Sequence, residues 1–566
     1  MARSLNRRGF VGFAATGLAA APLLLEACQA PAPTSSPPAS SNHTPAPAAR
    51  NAVFPTYVPL TNGPKPDYPS IGPLYEDAFD NYPSNPVKAI STPPGKGGRV
   101  DITTIALFPP PTPFDQNPAW QAVNKELNAD VQFNILPSGD YAVRMATLMA
   151  GNDVPDMMFF WQPPGATSAI GALNGEPQFV ESTCADLTPY LAGDAAKDYP
   201  YLAAIPTSAW VNSGSGYNGK LLMVPLHRHP LAFPFYKNDN IYDAEIGKDY
   251  APKDAADLKR IMQALTKPQE DRYAIAQTNV ASYYAALFGA PNGWRLEQSG
   301  KLTHAWETQE YTDGLAFMND LWNAGVFHPN TLTYTSIDAS RGDYAAGKFV
   351  IWLDQFGNGW QLFWRKGLHS NGYNFNIIPP FSAHAGQKPQ FFLTGGYLGA
   401  TALKKASPDR IKELLGILNY LAAPFGSAED LLLTSGVNAV DYALDAKGNP
   451  VLTKQGNSDA NYTPWKYVTQ HPAVIYTPDI PNYAKTLSDA EHTLIPYGVR
   501  DPTVGLISPT QITKGAALMQ PVTDGTTDII VGRRPVSDWD GLVRDYFAGG
   551  GEQIRTEFMN AIQKSQ

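Results

Sequence analysis

From residue 99 onward the chain alternates two kinds of hydrophobic spacing. RVDITTIALF (99–108) carries Val100 and Ile102 among branched neighbours ahead of a proline run, which predicts a strand. In 118–128, Trp120, Val123 and Leu127 recur at helical spacing, with Asn117 placed as N-cap and Pro118 in the first turn. Val131, Phe133 and Ile135 alternate as a second strand, 141–150 returns to helix ahead of Gly151, and DMMFFW (156–161) reads as a third, buried strand. Strand-helix-strand-helix-strand predicts a parallel sheet, whose ligands sit beyond the carboxyl ends of its strands, where Trp161 stands. Further on, Tyr311, Leu315, Met318 and Trp322 form one helical stripe closed by Gly325, and Ile411, Leu414, Leu415, Leu418 and Leu421 form another. Near the end, Trp539, Leu542, Val543 and Phe547 predict a helix broken by Gly549–Gly551, and Ile554, Phe558 and Ile562 a last one.

The first hundred residues follow a different pattern. Arg3, Arg7 and Arg8 precede an apolar run from Phe10 to Leu25 that is too short to cross a bilayer and is interrupted by Gly12, Gly17 and Pro22, as in a signal peptide spanning 1–27. Arg7-Arg8 followed by Phe10 resembles a twin-arginine export signal, with an ordinary secretory signal as the alternative. Leu25-Glu26-Ala27-Cys28 resembles a lipobox. Cys28 would then carry a diacylglycerol, whose two chains suffice for stable anchoring, and Cys184 would be left as a small buried hydrophobe. Residues 28–97 are Pro/Ala/Ser/Thr-rich at first and read as a tether. Tyr57, Tyr68, Tyr75 and Phe79 could lay its later half on the globular body.

Composition narrows the classes. The chain has 566 residues, 43% of them hydrophobic and 11% aromatic, which is too apolar for a disordered chain. A net charge of −9, about −11 once the leader is removed, argues against nucleic acid as a partner. Two cysteines rule out a disulfide framework. Gly214–Gly219 spells GxGxxG, but a short strand (KLLMVP) follows where a dinucleotide site needs a helix, so a turn ahead of a strand is expected. His227 and His229 share a face of a strand without a third ligand, and are read as hydrogen-bonding groups rather than a metal site. There is no GxxxxGK[ST], HExxH or GxSxG, and no cofactor is expected. Aromatic residues beside polar ones do stand out at strand ends, in FFWQ (159–162), VPLHRHP (224–230), GAPNGW (289–294), IWLDQFGNGWQLFW (351–364) and LTGGYLG (393–399). Rings cover the C–H face of a sugar and polar groups satisfy its hydroxyl rim, so the pattern points to a carbohydrate site.

Six collinear stretches carry a family resemblance: GNDVPDMMFFW (151–161), YNGKLLMVPLHRHPLAFPFYKND (217–239), APKDAADLKRIMQALTK (251–267), YAAGKFVIWLDQFGNGW (344–360), GGYLGATALKKASPDRIKELLGILNYL (395–421) and IIVGRRPVSDWDGLV with GGGEQIRTEFMNAIQ (529–563). In this order they resemble the extracellular solute-binding proteins of bacterial ABC importers, in the maltose- and oligosaccharide-binding lipoprotein group. The resemblance implies an α/β, two-lobed periplasmic-binding-protein-like fold (type II) with hinge-joined, discontinuous lobes. Lobe one is expected at 98–226 plus 379–426 and lobe two at 227–378 plus 427–566. Closure is driven by contacts to both lobes, so ligand residues are expected from each: Trp161 and Tyr397 from the first, Arg228, Trp294, Asp354 and Trp360 from the second. The four aromatics would stack, and Asp354 and Arg228 would bind hydroxyls, or Arg228 an acidic sugar.

The implied protein is a non-catalytic, monomeric receptor, exported and held by lipid on the outer face of the membrane, that hands a small-molecule ligand to ABC permease subunits. Export and aromatic richness also fit a secreted glycoside hydrolase with two carboxylates in an aromatic cleft. Whether the ligand is a sugar or a peptide stays open at this level.

Overall fold

The computed structural model describes residues 54–61, 63–107, 109–151, 153–162, 172–334, 337–365, 367–460 and 464–564; Arg7, Arg8, Cys28 and the whole leader lie outside the described residues. The expected elements form where the local chemistry asks for them. The Asn117 side chain accepts the Trp120 N–H at 2.8 Å and Pro118 occupies the first turn, so the helix Pro118–Leu127 starts there and ends at Asn128 in the left-handed region. Ser407 caps Pro408–Leu421 in the same way, accepting from the Arg410 N–H at 3.3 Å. Asn218 and Gly219, both at positive φ, turn the small hairpin Gly216–Tyr217/Lys220–Leu221 ahead of Met223–His227. The GxGxxG stretch is therefore a turn before a strand.

Two α/β bodies result. In the first, a five-stranded sheet runs in the order Asp130–Pro137, Arg99–Ala106, Met157–Trp161, Tyr397–Leu403, Met223–His227. The first three are parallel, and Tyr397–Leu403 runs antiparallel to both its neighbours. The helical stripes Trp120–Val123–Leu127 and Ile411–Leu414–Leu418 pack against Val100, Val131 and Met157 of this sheet. Cys184 is buried in the adjoining cluster, unpaired. In the second body, Phe235–Asn238 is flanked by Ile351–Leu353 and Phe375–Ile377, both antiparallel to it. Helices Ala255–Leu265, Ala281–Leu287 and Gln309–Asn323 share one core with Val522, Ile529 and Trp539 from the C-terminal helices. The glycine break expected at 549–551 is a widened turn, non-helical at Gly550, between Trp539–Tyr546 and Glu552–Gln563. Among the described residues no helix is long and apolar enough to cross a membrane.

Beyond the amino-terminal arm, three described segments cross between the bodies. Residues 228–232 and 392–396 form an antiparallel ladder: Arg228 N–H to Gly396 O at 3.0 Å, Thr394 N–H to Pro230 O at 2.6 Å and Ala232 N–H to Phe392 O at 3.2 Å. The third crossing follows Val468, whose carbonyl accepts from Thr401 Oγ1, and passes Ala473, whose N–H donates to His227 Nδ1 at 3.0 Å. It then enters the second body at Ile475.

The crossings set boundaries that differ from those expected. Residues 379–396 stay with the second body, because Phe381, Ala383, Phe391 and Leu393 are covered there; Pro379-Pro380 is a bend, and the return strand begins at Tyr397. Residues 427–468 belong to the first body, where Leu433, Trp465 and Val468 complete its core.

From Phe54 onward the Pro-rich segment is an arm laid on the protein. Pro55 bridges Gly193 on the first body, and Tyr68 and Tyr75 pack on the second. Ala78–Phe79 pairs in parallel with Ile475–Tyr476 of the third crossing, and Val87 returns to Ser427 on the first body.

Candidate functional site

The edge of the large sheet that meets the crossings gathers three of the residues singled out by the sequence. Trp161 ends its strand opposite Gly399, and Tyr397 opens the neighbouring strand opposite His227, so the two aromatics stand on adjacent strands in one apolar cluster. Gly399 is required there: a Cβ would lie 2.4 Å from the Phe159 ring and the Phe160 carbonyl. Gly395 has no room for one either, with Cε1 of Tyr397 at 2.3 Å, so that ring lies over the glycine backbone. The Trp161 backbone N–H donates to Tyr141 Oη at 2.9 Å and its ring meets Tyr141 edge to face at 5.9 Å. Trp161 is 6% exposed, and its indole N–H has no partner among the described residues. A buried donor left unpaired is costly, which marks this N–H as one that awaits an acceptor.

Arg228 begins the first crossing. Its Nη1 donates to the His227 carbonyl and to Gln470 Oε1 of the third crossing, both at 2.9 Å. Burial, and then the Arg228 charge, hold His227 down to about 3 and His229 down to about 4, so both rings are neutral and the guanidinium is the charged group of this trio. His229 packs edge-on against Phe356 at 5.3 Å. Among the described residues no three His, Cys, Asp or Glu side chains gather into a metal site.

A segment that sequence reasoning missed pairs beside the second crossing. Gly498–Val499 pairs in parallel with Phe391–Phe392, and the Leu393 N–H donates to Val499 O at 3.0 Å, so Arg500 stands beside the second crossing. Beyond it, Leu506 packs with Trp294 in the second body while Ile507 packs against the Trp161–Tyr397 cluster of the first. The Arg500–Ile507 segment therefore reaches from one body to the other. The Arg500 side chain is open to water, yet desolvation lowers its guanidinium pKa. Next to it, Asp501 accepts from the Thr503 N–H at 2.5 Å and from its hydroxyl at 2.7 Å, while Oδ2 is buried without a partner among the described residues and burial raises this carboxyl well above its ordinary value. GVRDP (498–502) has no periodicity and no aromatic residue, so only its parallel pairing to the crossing reveals it.

The other singled-out residues are placed elsewhere. Asp354 is 2% exposed and engaged on both oxygens: Arg341 binds bidentately at 2.7 and 2.9 Å, Trp352 Nε1 donates at 3.2 Å and the Gln355 N–H at 2.8 Å. Trp294 is 2% exposed, packed with Leu302, Ile554 and Phe558 beneath the Arg555 guanidinium, which lies 5.6 Å from its ring centre. Neither side chain joins the Trp161–Tyr397 edge. Trp360 falls in the helix Asn358–Arg365, and its side chain lies outside the described residues.

Comparison with known proteins returns the same architecture. No family model matches the chain. It is 22% identical over 506 residues to Lipoprotein LipO of Bacillus subtilis (strain 168), a match covering 83% of this chain and 94% of that protein. It is 23% identical over 496 residues to the polygalacturonan/rhamnogalacturonan-binding protein YtcQ of the same organism, covering 83% and 93%. Among solved structures, an extracellular solute-binding protein from Bifidobacterium longum subsp. infantis superposes with a TM-score of 0.62 at 11% identity, over 84% of this chain and 100% of that one. The ABC-transporter substrate-binding protein FusA of S. pneumoniae, in complex with kestose, gives 0.58 at 14% identity over 82% and 99%. The alginate-binding protein AlgQ2 gives 0.58 at 13% identity over 83% and 98%. What the chain shares with these structures is the two-lobed α/β solute-binding fold.

Proposed function

We propose that this chain, which has the fold of the extracytoplasmic solute-binding proteins of bacterial ABC importers, captures a carbohydrate between its two lobes and delivers it unchanged to a permease. The carrying observation is the edge where Trp161, Tyr397 and Arg228 meet the crossings, with Arg500 on the strand that pairs beside the second of them. It offers two rings for the C–H face of a sugar, an indole N–H without a partner among the described residues and two guanidiniums for its rim, at the sheet edge and on the segments beside it. A guest bound there touches both halves, and only differential contact of that kind shifts an open–closed equilibrium. The names of YtcQ, AlgQ2 and the FusA complex all state glycans, which supports the same ligand class here.

The reading extends to the cell surface. Export by the leader with Arg7-Arg8 and lipidation at Cys28 would hold the protein on the outer face of the membrane as a monomer, a role the name LipO favours. Asp354, the carboxylate the sequence offers beside the aromatic-rich 351–364 stretch, is occupied by Arg341, which favours capture over hydrolysis.

The test incubates the mature protein with a panel of oligosaccharides, follows thermal unfolding and assays for products. A ligand at about 100 times its Kd adds about 2.7 kcal/mol to stability. A ligand-dependent rise in Tm with no product is expected. Multiple turnover of any panel member would refute the receptor reading in favour of a hydrolase.

A further inference from the structure

Two hydrogen bonds tie the first crossing to the third. Arg228 Nη1 donates to Gln470 Oε1 at 2.9 Å, and the Ala473 N–H donates to His227 Nδ1 at 3.0 Å. Gln470 sits on an anchored stretch of chain. On one side of it the Val468 carbonyl accepts from Thr401 Oγ1 of the large sheet. On the other, His471 Nε2 lies 3.3 Å from Asp430 Oδ1 of the first body, and the second oxygen of that buried carboxylate accepts from Tyr82 Oη at 2.8 Å and from the Gly426 N–H at 3.0 Å. The Gln470 amide makes no other hydrogen bond among the described residues. Gln277, by contrast, serves the backbone: its Nε2 donates to the Leu353 carbonyl and its Oε1 accepts from the Leu353 N–H, both at 2.8 Å.

Arg228 is held differently from the arginines that build the fold. Arg341 binds Asp354 at 2.7 Å and Arg555 binds Glu307 at 2.8 Å. Both acceptors of Arg228, the His227 carbonyl and Gln470 Oε1, are neutral, and both take the same nitrogen. Among the described residues, Nε and Nη2 of Arg228 have no acceptor. A guanidinium carries its N–H donors in one rigid plane, so a hold on Nη1 also orients the rest. The residue stands at the sheet edge already described: its own N–H pairs with the Gly396 carbonyl at 3.0 Å, and His227 before it lies opposite Tyr397. A long side chain ordered in advance spares binding the cost of ordering it.

We infer that Gln470 is a positioning residue for ligand capture: from the third crossing, its amide oxygen holds the Arg228 guanidinium in the orientation that receives a sugar hydroxyl. The inference rests on the carbohydrate reading above and deepens it. A neutral acceptor suits the task, because it orients the guanidinium without cancelling the charge that strengthens hydrogen bonds to a guest. The two residues belong to different crossings, so the hold on Arg228 lasts only while those crossings lie side by side. Ligand contact at Arg228 is thereby tied to the arrangement of the hinge.

The experiment is isothermal titration of the mature protein with maltotriose, kestose and trigalacturonate, continued with whichever of these, or of the wider panel, binds most tightly. Arg228→Ala is expected to weaken that binding about tenfold or more. Gln470→Met keeps the length of the side chain and loses the acceptor oxygen. It is expected to weaken binding about three- to tenfold with the unliganded Tm nearly unchanged, and by less than about 1.5-fold when Arg228 is already alanine. Parent-like affinity in Arg228→Ala or in Gln470→Met, or a Gln470→Met loss of the same size in both backgrounds, would each overturn the inference with the carbohydrate reading intact. If no glycan in the panel binds, both readings fall together. Gln470→Ala and Arg228→Lys stand in for any variant that does not fold; a position that tolerates neither form holds the fold itself, which also overturns the inference.

Discussion

Asp354 offers the sharpest separation between a ligand group and a structural one. Replacing it with alanine leaves the Arg341 guanidinium, 5% exposed, without either of its two short bonds, and strips the Trp352 indole and the Gln355 N–H of their acceptor. Breaking one side of a buried ion pair costs about 3–5 kcal/mol, because the surviving charge stays buried and loses its bidentate carboxylate. Against a total stability of about 5–15 kcal/mol, this is a large fraction. Replacing both partners with apolar groups of similar size removes the stranded charge, so Asp354→Leu with Arg341→Met should sit within about 1–2 kcal/mol of the parent. Urea unfolding followed by tryptophan fluorescence gives the stabilities, and titration with the best panel ligand gives the affinities. The expected outcome is a large loss for Asp354→Ala, recovery in the double variant, and ligand affinity within about twofold of the parent in whatever folds. A variant as stable as the parent that binds ligand tenfold more weakly would show that Asp354 belongs to the sugar and not to Arg341.

Three further outcomes follow from the same structure. Trp161→Ala should weaken ligand by about 1–3 kcal/mol, roughly 5- to 150-fold, and Trp161→Phe, which keeps a ring but no N–H, by less; calorimetry that finds both equal to the parent removes Trp161 from the site. Trp294→Ala should cost about 3–5 kcal/mol of stability, as expected for a large aromatic lost from a core, without changing the affinity of the folded fraction; an affinity change at unaltered stability would place that ring against ligand. Burial raises Glu76 and Glu491 above the ordinary 4.5, and Glu76 raises Glu491 further. Carboxyls that hold protons longer when folded stabilise below their unfolded value and lose that contribution as pH rises through the folded one. Unfolding free energy should therefore fall between about pH 5 and about pH 8, and Glu491→Gln should flatten the slope; a parent profile that rises over this window would contradict the burial.

Periodicity and capping are local, and the elements they predict are where the chain places them. Asn117 and Pro118 start their helix, Gly325 follows the Tyr311 stripe, and FFW ends a central strand. Trp161, Arg228 and Tyr397 were legible as a group because strand ends of one sheet share an edge. Which polar residue finds an internal partner is not local. Asp354 is matched by an arginine on a preceding helix, and Trp294 is covered by residues 554–558 from the far end of the chain. Arg500 escaped for the converse reason: its importance lies in the crossing it pairs beside, not in any motif of its own. The lobe boundaries shifted because Pro379-Pro380 punctuates without crossing, while the third crossing at 469–475 is a short stretch with no strand-like alternation.

The arm has a mechanical consequence. It touches the first body at Gly193, the second through Tyr68 and Tyr75, and the third crossing through Ala78–Phe79. A pull on the amino end is thus shared along the pivot and not loaded onto one jaw alone. The contacts nearest the amino end, at Gly193 and Ala203 of the first body, meet such a pull before the two-residue ladder with Ile475–Tyr476 does.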